Sequence, residues 1–248
     1  MFLADVNLER SRYKGAVVLE AGIGEGKYLP YVLDREPAWL FGVDSSDAVF
    51  PVYAKLAGRS GRTKLCLCKA DIQKLPLKES RFDIVYSTRV LHQLPDMARG
   101  FRGLHSLLKK KGVFVAVIYA ETENGIRMIR FVERIKRMIN AGIGLKPLYA
   151  LSIFPAALIY LILQGVYRPL GHFAWARRAL PLYRALGEYW ARYDFLFLWQ
   201  CTVFDVLMTP EAKYTSEPEL KALLSSLPLA RCDYELQHEA MWTIRMVR

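Results

Sequence analysis

A chain of 248 residues can bury one large core, so an elaborated single domain fits its length better than two domains. Its formal net charge of +11 favours an anionic partner such as nucleic acid or an acidic membrane surface, although many basic enzymes bind neither. Four cysteines form no C-x-x-C pair, which argues against a disulfide framework and a metal site and predicts reduced core residues in a cytoplasmic protein. The first 15 residues carry charges throughout and lack the apolar stretch of a secretory signal.

The segment 17–44 predicts the element around which the rest of the chain is organised. An apolar run ends in an acid and three glycines at alternate positions, and a second apolar run that ends in an acid follows. In chain order these features are the run 16–19, Glu20, Gly22, Gly24, Gly26, the run 40–43 and Asp44. The order of strand, glycine turn, helix, strand and acid is typical of a doubly wound sheet. Such a sheet holds an adenosine-containing cofactor beyond the carboxyl ends of its strands.

The spacing of the glycines distinguishes two kinds of cofactor. A dinucleotide site has a third glycine in G-x-G-x-x-G so that a helix N-terminus can receive a pyrophosphate, and here that position is Lys27. The glycines instead run G-x-G-x-G after an acid. This pattern resembles the first motif of class I S-adenosylmethionine-dependent methyltransferases, whose cofactor has no phosphate.

Apolar spacing predicts the remaining elements of the core. Alternation indicates strands, and a period of three to four residues indicates helices. In chain order these elements are a helix over 45–56 with a Ser46 cap, a strand over 64–70, a helix over 101–108 closed by the basic turn 109–112, a strand over 113–119, a helix over 217–227, and strands over 229–236 and 241–247.

The segment 70–96 carries the most specific signal. It places an acid after the third strand, then a Leu-Pro pair, a charged turn, a strand over 82–87 and a helix start bearing Leu91 and His92. This order resembles the ubiquinone/menaquinone biosynthetic methyltransferases, the type 11 group, almost residue for residue. The resemblance covers residues 17–119 and the C-terminal strands.

The resemblance implies an α/β fold. It predicts a doubly wound, Rossmann-like, seven-stranded and mostly parallel sheet with an antiparallel last strand, plus a helical insertion. The expected parts are a cofactor-binding core at 1–119, an apolar and basic insertion at 120–203, and a C-terminal helix with strands at 204–248 that completes the core.

The resemblance also implies the cofactor S-adenosyl-L-methionine, with S-adenosyl-L-homocysteine as product. The implied cofactor-binding residues are Glu20, Gly22, Gly24, Gly26, Asp44, Ser45, Asp71, Ile72 and Ser87. Glu20 would offer its carboxylate to the ammonium group, and Asp44 would take the ribose hydroxyls. Asp71 would accept the adenine amino group, and Ile72 would pack on the ring. Ser87 would present a backbone carbonyl. Asp71 is also placed to cap the following turn, which is compatible with binding adenine.

His92 is the candidate catalytic base. A histidine titrates in the useful range, and this one would lie near the methyl group if a helix begins at about Thr88. The alternative is a structural histidine bonded within the helix turn. Tyr28, Tyr119 and Glu121 are also placed near the carboxyl ends of strands, and an acceptor that is already acidic needs no protein base.

The insertion has two unusual stretches. Residues 126–139 read as a basic amphipathic helix, and 147–167 contain 21 residues without a charge between Lys146 and Arg168. That length qualifies as a candidate membrane span. A single crossing, however, would separate the last strands from the first five, and Pro155 favours a bend. A lid that touches the membrane peripherally through 126–168, a wholly buried lid or dimer face, and true insertion stay open.

These features predict a methyltransferase that acts on a small, apolar or lipid-like acceptor. The charge makes an RNA methyltransferase an alternative, but base-amino methyltransferases carry Asn/Asp-Pro-Pro-Tyr after strand four, where this chain has Ser-Thr-Arg-Val at 87–90. Nucleic acid is therefore not the expected partner. A non-catalytic cofactor-binding subunit is a further alternative. The acceptor atom and a homo-oligomeric state are left open, and a cytoplasmic location, peripheral on the membrane, is expected.

Overall fold

The computed structural model of the protein describes residues 8–122, 134, 145–180, 183–201, 212–238 and 240–248. Its internal contacts divide the chain into two units. The first unit comprises Met1–Ile118, Glu217–Glu235 and Trp242–Arg248, and the second comprises Tyr119–Ser216 and Leu236–Met241. The predicted boundary between 203 and 204 lies outside the described residues, and the three-part division stays a prediction.

The first unit is built on a seven-stranded sheet with the order β3-β2-β1-β4-β5-β7-β6. The strands are β1 (Val17–Ala21), β2 (Trp39–Asp44), β3 (Lys64–Lys69), β4 (Phe82–Thr88), β5 (Leu108–Tyr119), β6 (Arg231–Gln237) and β7 (Met241–Val247). The first five strands pair in parallel, and the last two complete the sheet in antiparallel fashion. The predicted fold class is confirmed.

Short helices and turns connect the strands. Within the described residues the α-helices are α1 (Leu29–Leu33), α2 (Val49–Leu56), α3 (Met97–Ser106), α4 (Leu145–Leu151), α5 (Ile153–Ile162), α6 (Arg168–Leu170), α7 (Ala174–Ala179), α8 (Phe195–Cys201) and α9 (Glu217–Ser225). The central strands read as apolar runs because both of their faces are covered, and Val18, Leu19 and Val85 are completely buried. Phe101 of α3 packs on Phe114 of β5 with ring centroids 5.7 Å apart.

The strand register brings the predicted site residues to one edge of the sheet. Glu20 lies opposite Gly42 of β2 and Tyr86 of β4. Asp44 is the last residue of β2. Because parallel strands all end at the same edge, the loops after β1, β2, β3 and β4 meet there.

The helix expected to begin at about Thr88 is a wrong prediction. β4 continues to Thr88, Arg89 has a positive φ of 61°, and a 3₁₀ turn follows at Leu91–Gln93. Helix α3 begins only at Met97, where the Asp96 side chain accepts a hydrogen bond from the N–H of Arg99 at 2.9 Å. An N-cap with an extended backbone fixes this later start.

The basic turn predicted at 109–112 belongs instead to β5, which begins at Leu108. The Nζ of Lys109 pairs with the Asp83 carboxylate of β4 at 2.8 Å, and the N–H of Lys111 donates to the carbonyl of Arg248 at 2.7 Å. Contacts between strands therefore override the local pattern of lysines before a glycine.

The prediction that the cysteines lie in the core is wrong for Cys66 and Cys68, which are exposed. Both lie on β3, which is an edge strand of the sheet and has a mostly exposed alternating pattern. Cys232 is half-buried. Nothing in the composition distinguishes an edge strand from a central one.

The second unit contains a long helical run, Tyr149–Leu170, which is long and apolar enough to cross a membrane by length and composition alone. It is interrupted at Ser152, whose hydroxyl accepts a hydrogen bond from the Nε1 of Trp199 at 2.9 Å. Tyr160 packs edge-on against Phe195 of α8 with centroids 5.7 Å apart. The helix predicted at 126–139 lies outside the described residues.

Replacing Phe101 with alanine should lower the free energy of unfolding by about 3–5 kcal/mol, because a fully buried ring and its contact with Phe114 are lost. Urea titration followed by circular dichroism measures the change. Phe50→Ala is the matched control, since Phe50 of α2 is exposed and its loss should cost less than about 0.5 kcal/mol. Equal costs for the two variants would contradict the described core.

Candidate cofactor site

The glycine loop after β1 is shaped by backbone conformations that side chains disfavour. Gly22 has a φ of 84° and Gly24 a φ of 48°. A Cβ on Gly22 would lie 2.3 Å from a methyl group of Val90, whereas a Cβ on Gly24 would meet nothing within 4 Å. The first glycine is therefore required by packing. The backbone of the second is exposed on an open side, which a ligand can approach.

Asp44 ties the second strand to this loop. Its Oδ2 accepts a hydrogen bond from the N–H of Gly24 at 2.8 Å. Its Oδ1 accepts from the N–H of Ser46 at 2.9 Å and from the hydroxyl of Ser46 at 2.7 Å. A carboxylate has about four lone-pair positions, so these bonds leave it the capacity to accept a hydrogen bond from a ligand. Ser45 lies exposed beside it.

The Ser46 hydroxyl therefore supports the acid of the site. The sequence predicts it as a helix cap, but α2 begins at Val49 without a side-chain cap. An Asx-type turn at the end of β2 has taken the place of the predicted cap.

Glu20 is the most unusual residue of the site because only 1% of its surface is exposed. The hydroxyl of Tyr86 donates to its Oε2 at 2.7 Å. The pKa of Glu20 is raised to about 8, chiefly by burial; the Tyr86 hydrogen bond lowers it, and the Asp44 charge adds to the rise. The second oxygen, Oε1, is buried without a hydrogen-bond partner among the described residues. A buried acceptor of this kind is costly unless a donor reaches it.

Asp71 and Ile72 follow β3. The Asp71 carboxylate accepts from the N–H of Gln73 at 2.9 Å and so caps a 3₁₀ turn, which confirms the capping interpretation. Ile72 is buried within that turn. The carbonyl of Asp44 accepts from the N–H of Ala70 at 2.8 Å, so the end of β3 is held beside the end of β2. The roles of Asp71 and Ile72 toward adenine stay predictions.

Ser87 and His92 lie on the opposite side of β1, in and after β4. The hydroxyl of Ser87 is buried and donates to the carbonyl of Ala21 at 2.9 Å, so its side chain ties β4 to β1. The predicted role of the Ser87 backbone carbonyl stays a prediction. His92 is completely buried in the 3₁₀ turn Leu91–Gln93. Its function as a base stays a prediction.

Tyr86 and Arg89 belong to the site but are not among the residues predicted from the sequence. Tyr86 holds Glu20, and an Nη of Arg89 donates to the hydroxyl of Tyr28 at 2.6 Å. The strand register indicates the pair of Tyr86 and Glu20. Glu20 is next to the end of β1 and lies opposite Tyr86, which is two residues before the end of β4. No local pattern indicates the second pair.

These residues fit an adenosine-containing cofactor with an amino-acid tail. Asp44 offers a carboxylate for a ribose, and the open side of Gly24 leaves the loop backbone accessible. An ammonium group that reaches the buried Glu20 would stabilise the ionised carboxylate, whose Oε1 has no hydrogen-bond partner among the described residues. The chemistry of this set of residues thus agrees with the predicted cofactor.

Comparisons with known proteins agree with this arrangement. Residues 19–116 match the methyltransferase domain family. The methyltransferase ctvB of Aspergillus terreus is 31% identical over 132 residues, covering 49% of this chain and 56% of that protein. The mitochondrial arginine-hydroxylase NDUFAF5 of Homo sapiens is 40% identical over 111 residues, covering 42% of this chain and 28% of that protein. The chain therefore spans less than two thirds of the length of these curated relatives.

The fold is similar to a solved structure over nearly the whole chain. That structure is the complex of the Haloferax volcanii Trm112 methyltransferase activator with a methyltransferase. The similarity has a TM-score of 0.51 at 13% identity and covers 99% of this chain and 85% of that one. At this identity the similarity establishes the fold alone. The match of the domain at 19–116 confirms the predicted family resemblance.

The raised pKa of Glu20 predicts a pH-dependent effect of the Glu20→Gln substitution. Because the folded state holds a proton that the unfolded chain releases above the ordinary pKa of 4.5, wild-type stability should fall as pH rises from about 4.5 to about 8. Glutamine has no such proton. The stability difference, variant minus wild type, should therefore grow by up to about 1.4 kcal/mol per pH unit in that interval.

Urea titrations at pH 5, 6, 7 and 8 measure this difference. If the amide changes the stability by a pH-independent amount, all four stability differences shift equally and their slope against pH is unchanged. Glu25→Gln is the matched control, because it removes the same carboxyl group from an exposed position on the same loop. A flat difference for Glu20→Gln would show that the buried carboxyl titrates normally.

Proposed function

We propose that this chain, whose residues 19–116 belong to the class I S-adenosylmethionine-dependent methyltransferases, transfers the methyl group of S-adenosyl-L-methionine to a small acceptor. The observation that carries the proposal is the bond from the N–H of Gly24 to Asp44, which joins the glycine loop to the acid after β2. S-adenosyl-L-homocysteine is the product. The acceptor is proposed to be apolar or lipid-like.

The bound cofactor supplies an electrophilic methyl group on a sulfonium. The chain's own residues bind and orient it, since such a transfer depends mainly on alignment and the exclusion of water. Asp44 accepts hydrogen bonds from the ribose hydroxyls, with Ser45 beside it, and Asp71 with Ile72 holds the adenine. Glu20 and the glycine loop hold the methionine end.

His92 is the proposed base for acceptors that must lose a proton. It lies in the turn directly after β4, the strand whose carboxyl end faces the proposed reaction centre. Its complete burial keeps the imidazole away from bulk water. A phenol or another acidic acceptor would react without it.

We propose that the second unit brings the enzyme to an anionic membrane surface. Phe154, Leu158 and Leu161 follow a helical i, i+4, i+7 pattern and are between 60% and 71% exposed. Such a stripe suits the boundary between headgroups and acyl chains. Phe173 and Trp175, which are exposed beyond the end of the helical run, add aromatic side chains of the kind enriched at membrane interfaces.

Positive charge follows the same stripe in the chain. Arg168, Arg177 and Arg178 are exposed, and basic side chains near a membrane surface attract anionic lipids. A peripheral site at a membrane agrees with a lipid-like acceptor. A dimer face would use the apolar stripe without needing these arginines.

Incubation with methyl-labelled cofactor tests the activity and the acceptor class together. We expect label transfer to a lipid extract, more than to a soluble metabolite extract or to RNA. Transfer to RNA, accompanied by salt-sensitive RNA binding, would favour the alternative suggested by the charge of +11. Tight cofactor binding with no transfer to any extract would favour a non-catalytic subunit or another chemistry. A human protein that is 40% identical over 111 residues is, for example, named an arginine-hydroxylase.

Replacing Asp44 with asparagine should weaken binding of S-adenosyl-L-homocysteine by more than about tenfold, because the charged acceptor for the ribose is lost. Isothermal titration calorimetry measures the change. Asp47→Asn is the matched control, since Asp47 is exposed and pairs with Lys69 at 2.7 Å, and it should bind like wild type. Strong binding of NADH, with no heat from S-adenosyl-L-homocysteine, would overturn the proposed cofactor.

Replacing both Phe154 and Leu158 with glutamate should reduce co-sedimentation with phosphatidylglycerol-containing vesicles by more than about tenfold, because two apolar anchors are lost and negative charge is added. Phe50→Glu, at an exposed phenylalanine of the first unit, is the control. Wild-type binding should fall with added salt and on pure phosphatidylcholine. Equal sedimentation of all three proteins would argue against the membrane contact.

A further inference from the structure

The turn after β4 contains an arginine, Arg89, whose backbone is strained. Arg89 has a φ of 61°, a left-handed conformation that is uncommon for a residue with a side chain. Its N–H donates to the carbonyl of Val117 in β5 at 2.8 Å. Strain of this kind collects at functional sites, where the surrounding structure holds it in place.

This turn packs directly on the glycine loop. The residue after Arg89 is Val90, whose methyl group fills the position that a Cβ on Gly22 would take. The left-handed Arg89 thus lies one residue from the contact that closes the loop from the β4 side. The turn and the loop form one wall at the carboxyl edge of the sheet.

The guanidinium of Arg89 is held at the other end of the same loop. One of its Nη atoms donates to the hydroxyl of Tyr28 at 2.6 Å. Tyr28 is buried and lies between the loop and α1. A half-buried guanidinium held by a rigid ring is oriented before a ligand arrives, and its planar fork suits a carboxylate.

The polar groups around the loop match an amino-acid tail. Such a tail carries an ammonium group and a carboxylate. The unpaired Oε1 of the buried Glu20 is suited to the first group. The carboxylate of the tail needs a cation. Arg89 is such a cation and lies three residues after Tyr86, whose hydroxyl donates to Glu20. A buried carboxyl group and a guanidinium therefore flank the same loop.

We propose that Arg89, positioned by Tyr28, binds the carboxylate at the amino-acid end of the cofactor. The inference rests on the proposed function and deepens it. A carboxylate on the acceptor has the same chemistry, so the experiment must separate the two sources.

Two ligands that share a nucleoside separate them. S-adenosyl-L-homocysteine carries the amino-acid tail, and 5′-methylthioadenosine lacks it. Calorimetry on the full chain should show that Arg89→Gln weakens S-adenosyl-L-homocysteine binding by about 10- to 100-fold and changes 5′-methylthioadenosine binding by less than about twofold. Arg89→Lys should retain part of the affinity, because it keeps the charge and loses the fork.

Tyr28→Phe tests the positioning role. It should weaken only S-adenosyl-L-homocysteine, and by less than Arg89→Gln does, because the guanidinium stays but loses its anchor. Thermal unfolding of each variant checks the fold, and Arg89→Lys provides the comparison if Arg89→Gln does not fold. Lys27→Gln is the matched control, since it removes a neighbouring exposed charge from the loop.

The outcomes distinguish this inference from the function on which it rests. Equal weakening of both ligands, or of neither, would overturn the assignment of Arg89 and leave the methyltransferase proposal standing. A tail-selective loss in Lys27→Gln instead of Arg89→Gln would also overturn it. Absence of binding of both nucleosides to the wild-type chain would overturn the proposed function and this inference together.

Discussion

The hydrogen bond between the N–H of Gly24 and the carboxylate of Asp44 is the constraint on which the site depends. It spans 2.8 Å and joins the loop after β1 to the last residue of the neighbouring parallel strand β2. Two backbone hydrogen bonds, from Gly22 and Ile23 to the carbonyl of Val43, bring the loop to the end of β2, and the Gly24 bond adds the carboxylate itself to the loop. The parallel strands end at the same edge of the sheet, and this bond holds the Asp44 carboxylate against the glycine loop at that edge.

Both sides of β1 contribute to the site in different ways. On the β2 side the groups are polar and open, as the exposed Gly24 and the half-buried Asp44 illustrate. On the β4 side they are buried, and Glu20 is satisfied on one oxygen by Tyr86. A ligand with a polar nucleoside and a charged tail matches this division, because the open side suits hydroxyls and the dry side strengthens charged hydrogen bonds.

The strands and site residues that could be predicted from the sequence are those indicated by short-range patterns of residue types. The glycines and the acids follow apolar runs, so the strands that carry Glu20 and Asp44 and their common edge could be inferred. Contacts between residues that are far apart in the chain could not be inferred from such patterns. Tyr86 and Arg89 act through partners 66 and 61 residues away, and the lysines at 109–111 join a strand in which Lys109 pairs with Asp83 of β4. The buried turn at His92 likewise depends on where β4 ends and on the cap at Asp96.

The edge position of β3 gives the protein a built-in place for an optical reporter. Cys66 and Cys68 are exposed and two residues apart on this strand, and Cys68 lies opposite Val43, the neighbour of Asp44. A fluorophore attached to this thiol would lie one strand away from the acid of the site and outside the packed core. Binding of the cofactor could then be followed by fluorescence, in the absence of a substrate and with every proposed cofactor-binding residue unchanged.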